Sequence, residues 1–235
     1  MRRAAAALFA LLALAGCRAG TATEAQPKPD LYVLTSLPLL FDDGFGLGPA
    51  KGEAATFLRE HYTLKPIDLP SQLPPGAVLL AAQPRALPAE ELVALDAWVR
   101  AGGGIVLLAD PLLEWQGERP LGDRLRPPVS FADTGLLAHW GLRLDAPDKR
   151  GPRPVSYDGF ELDYLSPGKL VRIGGGCEVL GDAVLAHCTL GTGSATIVAD
   201  ADLLNIAAIE TTFGRRTGNL SVLDLRLSGL LSKAE

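Results

Sequence analysis

The stretch P-A-E-E-L-V-A-L-D-A-W-V-R-A-G-G-G-I-V-L-L-A-D-P, Pro88 to Pro111, decides the fold. Pro88 suits the first turn of a helix, where its missing N–H is no loss, and Glu90 and Glu91 complement the positive helix end. The helix stops at Gly102-Gly103-Gly104, a run that no helix tolerates. Ile105 to Ala109 is then a continuous apolar run of strand length, of the kind covered on both faces. Asp110 closes it.

The same alternation continues in both directions. Towards the N-terminus, Ala77–Ala82 is a second continuous apolar strand, preceded by chain-breaking Pro70, Pro74 and Pro75. Before them lie a short strand over Leu64–Ile67 and a helix between Gly52 and Tyr62, with Ala55, Leu58 and Tyr62 on one face. Leu31–Leu34 is the first strand. Towards the C-terminus, Asp110–Pro128 has no periodicity and carries Arg119, Arg124 and Arg126, either an anion-binding set or a solvated loop; segments of this length without regular structure usually have a function. A short helix is predicted over Phe131–Trp140. A polar, Pro-containing connection follows between Asp145 and Pro154. Short strands punctuated by Gly and Asp fill Val155–Ala199, Ala195–Ala199 being another core strand, and Asn219–Leu231 closes the chain as an amphipathic helix. Strand and helix in this order predict an α/β fold with a mainly parallel sheet flanked by helices, antiparallel strands added in the C-terminal half, and an opening strand order of 2-1-3-4.

The ends of the chain point to an address. Arg2 and Arg3 precede an uninterrupted small and apolar run, Ala4–Gly16, too short for a stable membrane span and suited to a signal-peptide core. It ends in Leu14-Ala15-Gly16-Cys17, which resembles the lipobox of bacterial lipoproteins; the resemblance implies cleavage before Cys17 and acylation of that cysteine. The other reading is an ordinary secretory leader with a chance cysteine. Several acyl chains hold a protein to a membrane stably, where one does not. Arg18, in place of an aspartate, leans towards the outer membrane. Residues 1–16 are therefore read as leader, 17–29 as a small, polar, Pro-containing tether, and 30–235 as one domain.

Composition excludes some partners. The 235 residues carry a net charge of −5, and losing Arg2 and Arg3 makes it more negative. Nucleic acid needs a basic face, so it is not an expected partner. With Cys17 set aside, Cys177 and Cys188 remain as a pair. A hairpin turning at Gly181-Asp182 brings them opposite each other within disulfide reach, a bridge worth roughly 2–3 kcal/mol. A metal site built with His187 would have too few ligands. No metal and no cofactor are expected.

Three segments carry a resemblance: L-x-x-W-V-R-A-G-G-G-I-V-L-L-A-D-P (Leu95–Pro111), G-T-G-S-A-T-I-V-A-D-A-D-L-L-N (Gly191–Asn205) and G-N-L (Gly218–Leu220). Together they resemble the periplasmic domain of gliding-motility-type ABC-transporter auxiliary proteins and the related uncharacterised DUF4350-like domains. The resemblance implies a flavodoxin-like sandwich similar to class-I glutamine amidotransferases over roughly residues 31 to 231, and a place beside an ABC-type transport system. Those relatives usually carry membrane helices, whereas a lipid anchor is what is expected here.

The glycine-rich stretch T-S-L-P-L-L-F-D-D-G-F-G-L-G, Thr35 to Gly48, raises the question of nucleotide binding. Its glycines lack the dinucleotide spacing, Lys51-Gly52 lacks the hydroxyl of a Walker loop, and Asp42 and Asp43 repel phosphate. No nucleotide is expected; Leu37, Leu39, Leu40 and Phe41 instead suggest an apolar lip over a crevice. The candidate ligand cleft comprises Ser36, Phe41, Asp110, Glu114, Asp200 and Asp202, at the strand ends where open α/β sheets bind ligands. With Glu114 or Asn205 the aspartates could hold a hard cation, or they are ordinary turn and cap acceptors. Neither cysteine sits in a nucleophile elbow. The expected function is a non-catalytic, lipid-anchored envelope binding or scaffold protein with an envelope protein partner. An envelope hydrolase using Ser36, His139 and Asp110 is the alternative.

Overall fold

The computed structural model describes residues 27–42, 48–115, 117, 119–120 and 122–234. Leader, Cys17 and most of the tether, and the glycines Gly44 and Gly46, lie outside them. The elements run β1 (Asp30–Thr35), α1 (Glu53–His61), β2 (Thr63–Pro66), β3 (Val78–Ala82), α2 (Ala89–Arg100), β4 (Gly104–Leu108), α3 (Leu136–His139) and β5 (Leu142–Asp145). They continue with β6 (Arg153–Tyr157), β7 (Phe160–Tyr164), β8 (Lys169–Arg172), β9 (Cys177–Leu180), β10 (Leu185–Leu190), β11 (Gly193–Val198), α4 (Ile206–Phe213) and α5 (Asn219–Ala234).

Seven strands form one sheet in the order β2-β1-β3-β4-β11-β10-β9. The neighbours from β2 to β11 are parallel, and β10 and β9 extend the sheet antiparallel. The predicted 2-1-3-4 start is present, and β11 lies beside β4. Two small antiparallel pairs, β5–β8 and β6–β7, are built on the outside. This is a mixed α/β fold with helices on both faces of a mostly parallel sheet.

Every residue of β3 and β4 is buried, which is why the sequence there is apolar without alternation. The pleat divides these residues between two cores. Val78, Leu80, Ala82, Val106 and Leu108 face α1, α4 and α5 through Leu58, Ile206, Val222 and Leu227. Leu79, Ala81, Ile105 and Leu107 face α2 and α3 through Leu95, Val99 and Leu137.

The glycines after α2 have a packing reason. A Cβ on Gly103 would come within 2.5 Å of the Trp98 ring, and one on Gly193 within 1.9 Å of the Val99 carbonyl oxygen. The Gly191-Thr192-Gly193 turn thus lies directly on the end of α2, and Thr192 N–H donates to the Arg100 carbonyl at 3.0 Å.

Cys177 and Cys188 are register partners across β9 and β10 and form the expected disulfide. Three other expectations need correction. The helix predicted over Phe131–Trp140 is confined to Leu136–His139, because Asp133 Oδ1 accepts from Gly135 N–H at 3.1 Å and Leu137 N–H at 3.4 Å, holding the preceding residues in a turn. Leu37 and Leu39 do not form a lip: both are buried in the core on the α1 side, and Phe41 alone of the four is exposed. Helix α4 was not foreseen, although Asn205 caps it through Ala208 N–H and Gly214 ends it in the left-handed region. Among the described residues no helix is long and apolar enough to cross a membrane.

Candidate functional site

Because β4 and β11 are parallel neighbours in register, with Leu108 opposite Val198, the residues that follow them reach the same sheet edge. Asp110 and Asp200 meet there, and Asp202 joins them where the chain turns after β11. All three are fully buried. A buried carboxylate needs donors, and the backbone supplies most of them. Asp110 accepts from Leu112 N–H at 2.7 Å and Ala201 N–H at 2.9 Å. Asp200 accepts from Leu203 N–H and Asp202 from Glu114 N–H, both at 2.6 Å. The carboxylates therefore tie the segment after β4 to the segment after β11. Glu114, exposed, accepts from Ser166 Oγ at 2.7 Å.

Within this cluster two carboxylate oxygens, Asp200 Oδ2 and Asp202 Oδ1, have no donor among the described residues. Burial and mutual repulsion favour the protonated forms. Burial pushes Asp110 up to about 6, against the pull of its backbone donors. Burial first, then the Asp110 charge, pushes Asp202 up to about 7. Asp200 lies well above the usual carboxylate range for the same two reasons, with Asp202 adding to them. Among the described residues no group of three or more His, Cys, Asp or Glu is disposed to hold a metal ion.

The remaining candidates are placed as follows. Ser36 Oγ donates to the Gln83 carbonyl at 2.5 Å. Phe41 is 61% exposed and forms a bridge with Pro49. His139 lies 3.3 Å from Asp96 and is exposed beside the C-terminal end of α2. That end feeds the start of β4, whereas Asp110 follows its finish, about 17 Å away along a five-residue strand. Ser36, His139 and Asp110 do not assemble into a triad.

Sequence reasoning missed Gln83. It follows β3 with a φ of +44°, a backbone region that costs a non-glycine residue about 1 kcal/mol or more. Its side chain accepts from Asp110 N–H at 2.9 Å and donates to the carbonyls of Asp110 and Pro128 at 3.1 Å each. Gln83 thereby joins the loops after β1, β3 and β4 at the point where the sheet order reverses. The only sequence signal is a polar residue directly after a continuous apolar strand. Beside it, a cavity of about 20 Å³ lined by Leu34, Ala81, Leu107 and Phe131 has room for roughly one water molecule.

No curated protein sequence matches the chain. Among solved structures, an exo-β-1,4-mannosidase from Opitutaceae bacterium strain TAV5 is similar at 15% identity and a TM-score of 0.47, over 90% of this chain and 35% of that one. A β-galactosidase from Rahnella sp. is similar at 14% identity and a TM-score of 0.43, over 80% of this chain and 32% of that one. The chain thus spans about a third of these glycosidases. A ThuA-like protein from Bacteroides uniformis is similar at 12% identity and a TM-score of 0.47, over 92% of this chain and 95% of that one. The family model for the domain of unknown function DUF4350 matches residues 52–223, from the first turn of α1 into α5, and the chain belongs to that family.

Proposed function

We propose that the chain is a non-catalytic, lipid-anchored binding or scaffold protein of the cell envelope, facing the periplasm and serving an assembly such as an ABC-type transport system. The observation that supports this reading is the bonding at the switch point: Gln83 and the three aspartates direct most of their hydrogen bonds to backbone where an α/β enzyme would keep them for a ligand. Flanking that edge, the loops carry exposed Phe41, Leu125 and Val129, and apolar side chains on scaffolded loops are the usual means of gripping a protein partner.

The disulfide supports an oxidising compartment. It also takes up Cys177 and Cys188, so neither is free to act as the nucleophile that a class-I amidotransferase needs. We infer a flavodoxin-like, amidotransferase-like architecture from the parallel order β2-β1-β3-β4-β11. The lipid anchor rests on the Leu14–Cys17 segment.

Two measurements test the reading. Cys17→Ser should move the protein from the membrane to the soluble fraction, and unchanged fractionation removes the anchor. Affinity capture from detergent-solubilised envelope should recover a partner that Phe41→Ser with Leu125→Ser loses. Recovery of the same proteins by wild type and variant removes the proposed surface.

A further inference from the structure

The α5-side face of the sheet has a groove outside the helix layer. Helix α5 packs on β3, β4 and β7, so the antiparallel strands β9 and β10 extend past it. Between them, the end of α5 and the β6–β7 turn lies a space of about 260 Å³. Its floor includes Leu180, Leu185 and the ring of Tyr157, and its polar wall is formed by His187, Thr196, Arg226 and Lys233, with Glu178 at the rim.

Arg226 is held in place for a ligand. Its guanidinium lies 4.8 Å from the centre of the Tyr157 ring, and Nη2 donates to Asp158 at 2.9 Å. Its Nε–H is buried with no acceptor among the described residues. The Arg226 side chain also lines the groove, so its guanidinium can meet an anion there. Lys233, exposed on the last turn of α5, has no carboxylate partner among the described residues.

We propose that this groove is a binding site for a small organic carboxylate, its charged head on Arg226 and Lys233 and its short apolar body on Leu180, Leu185 and Tyr157. Charge balance selects a monoanion. Arg226 and Lys233 are offset by Asp158 and Glu178, so a single negative charge is matched by one proton, taken up by His187. Burial, followed by Lys233 and Arg226, holds His187 below its usual range, with Glu178 opposing them. It is therefore neutral in the empty groove near pH 7, and an anion on the two cations raises its affinity for a proton. Thr196, whose Oγ1 lies 3.5 Å from His187 Nδ1, is the remaining polar group on this side. A phosphate dianion would leave one charge uncompensated.

Calorimetric titration of the full chain with hexanoate, acetate and inorganic phosphate, in buffers of differing ionisation enthalpy, tests the site. Hexanoate should bind saturably and at least about tenfold tighter than acetate, since its longer chain buries more methylene surface. Binding should take up a proton near neutral pH and weaken as pH rises from about 6 to about 8. Lys233→Met should weaken it about tenfold, and His187→Gln should abolish the proton uptake. Lys233 is solvent-exposed, so its variant remains informative if Arg226→Gln does not fold. No saturable binding overturns the proposal. So does phosphate binding as tightly as hexanoate, affinity unchanged in Lys233→Met, or proton uptake that persists without His187.

Discussion

Replacing Asp202 with Asn should stabilise the protein at alkaline pH, an unusual result for a fully buried polar residue. Asp202 titrates near pH 3.8 when unfolded and at about 7 in the native state, through burial and the Asp110 charge. Between those values the native state holds more protons than the unfolded chain, so stability falls as pH rises. The contribution of this group is fully present below about pH 4 and lost once pH passes about 7. A displacement of about three pH units corresponds to about 4 kcal/mol for ionising this carboxyl in the fold. Asparagine does not titrate, retains an oxygen for the Glu114 N–H, and places an amide where Asp202 Oδ1 has no donor. Asp202→Asn should therefore gain roughly 2–4 kcal/mol at pH 8 relative to wild type and close to nothing at pH 4. Urea unfolding followed by circular dichroism across that range, with the disulfide intact, reads both curves. Wild-type stability that rises from pH 5 to pH 8, or a variant that is less stable at pH 8, would refute the reasoning.

Gln83→Ala removes three side-chain hydrogen bonds and leaves the Asp110 N–H and the Pro128 carbonyl without that partner, while the Asp110 carbonyl keeps the Phe131 N–H; the expected loss is roughly 1–3 kcal/mol in urea unfolding, with faster amide exchange at Asp110. Arg215→Met strands the fully buried Asp163 carboxylate, to which Arg215 donates at 2.6 Å. Because Arg215 is half exposed the cost should be about 2–3 kcal/mol, at the low end for a broken buried pair, and Arg215→Lys should recover part of it. Serine at both Cys177 and Cys188 opens the loop closed by residues eleven positions apart and should cost about 3 kcal/mol; for wild type, reductant should lower the melting temperature correspondingly.

The first half of the sheet was legible because its physics is local. β3 and β4 are apolar without alternation, proline and glycine mark their limits, and the helix between them is complementary to its own dipole. The C-terminal half is less legible. Its strands are short, β5 pairs with β8 across a long intervening segment, and no local pattern encodes such a partnership. Leu37 and Leu39 show the same limit from the other side. A run such as L-P-L-L-F has no period, so only tertiary packing decides which of its side chains enter the core and leaves Phe41 outside. Strand-end aspartates could be placed on one edge from the alternation alone. Which oxygen meets which N–H could not, since Ala201 and Glu114 become donors to Asp110 and Asp202 only after β11 is set beside β4.

The bonding at that edge follows from the topology. Two parallel strands ending in aspartate, with a third aspartate two residues on, put three like-charged groups in one buried space. The chain can relieve their repulsion with a bound cation, with protons, or with backbone donors. Four backbone N–H groups reach the carboxylates, and burial with mutual repulsion raises the three carboxyls so that protonation of part of the cluster is favoured. Gln83 joins the residues after β3 to Ser36 after β1 and to Asp110 and Pro128 after β4. Adding β10 and β9 widens the sheet past the reach of α5, and the groove left between them is lined by Arg226 of α5 and by His187, which burial holds below its usual range. The face of the added strands is thus a second place to seek ligand chemistry beside the strand ends, and the pH response of the two places separates them. Protonation stabilises the aspartate cluster in the absence of any ligand, whereas at the groove it should strengthen binding of an anion.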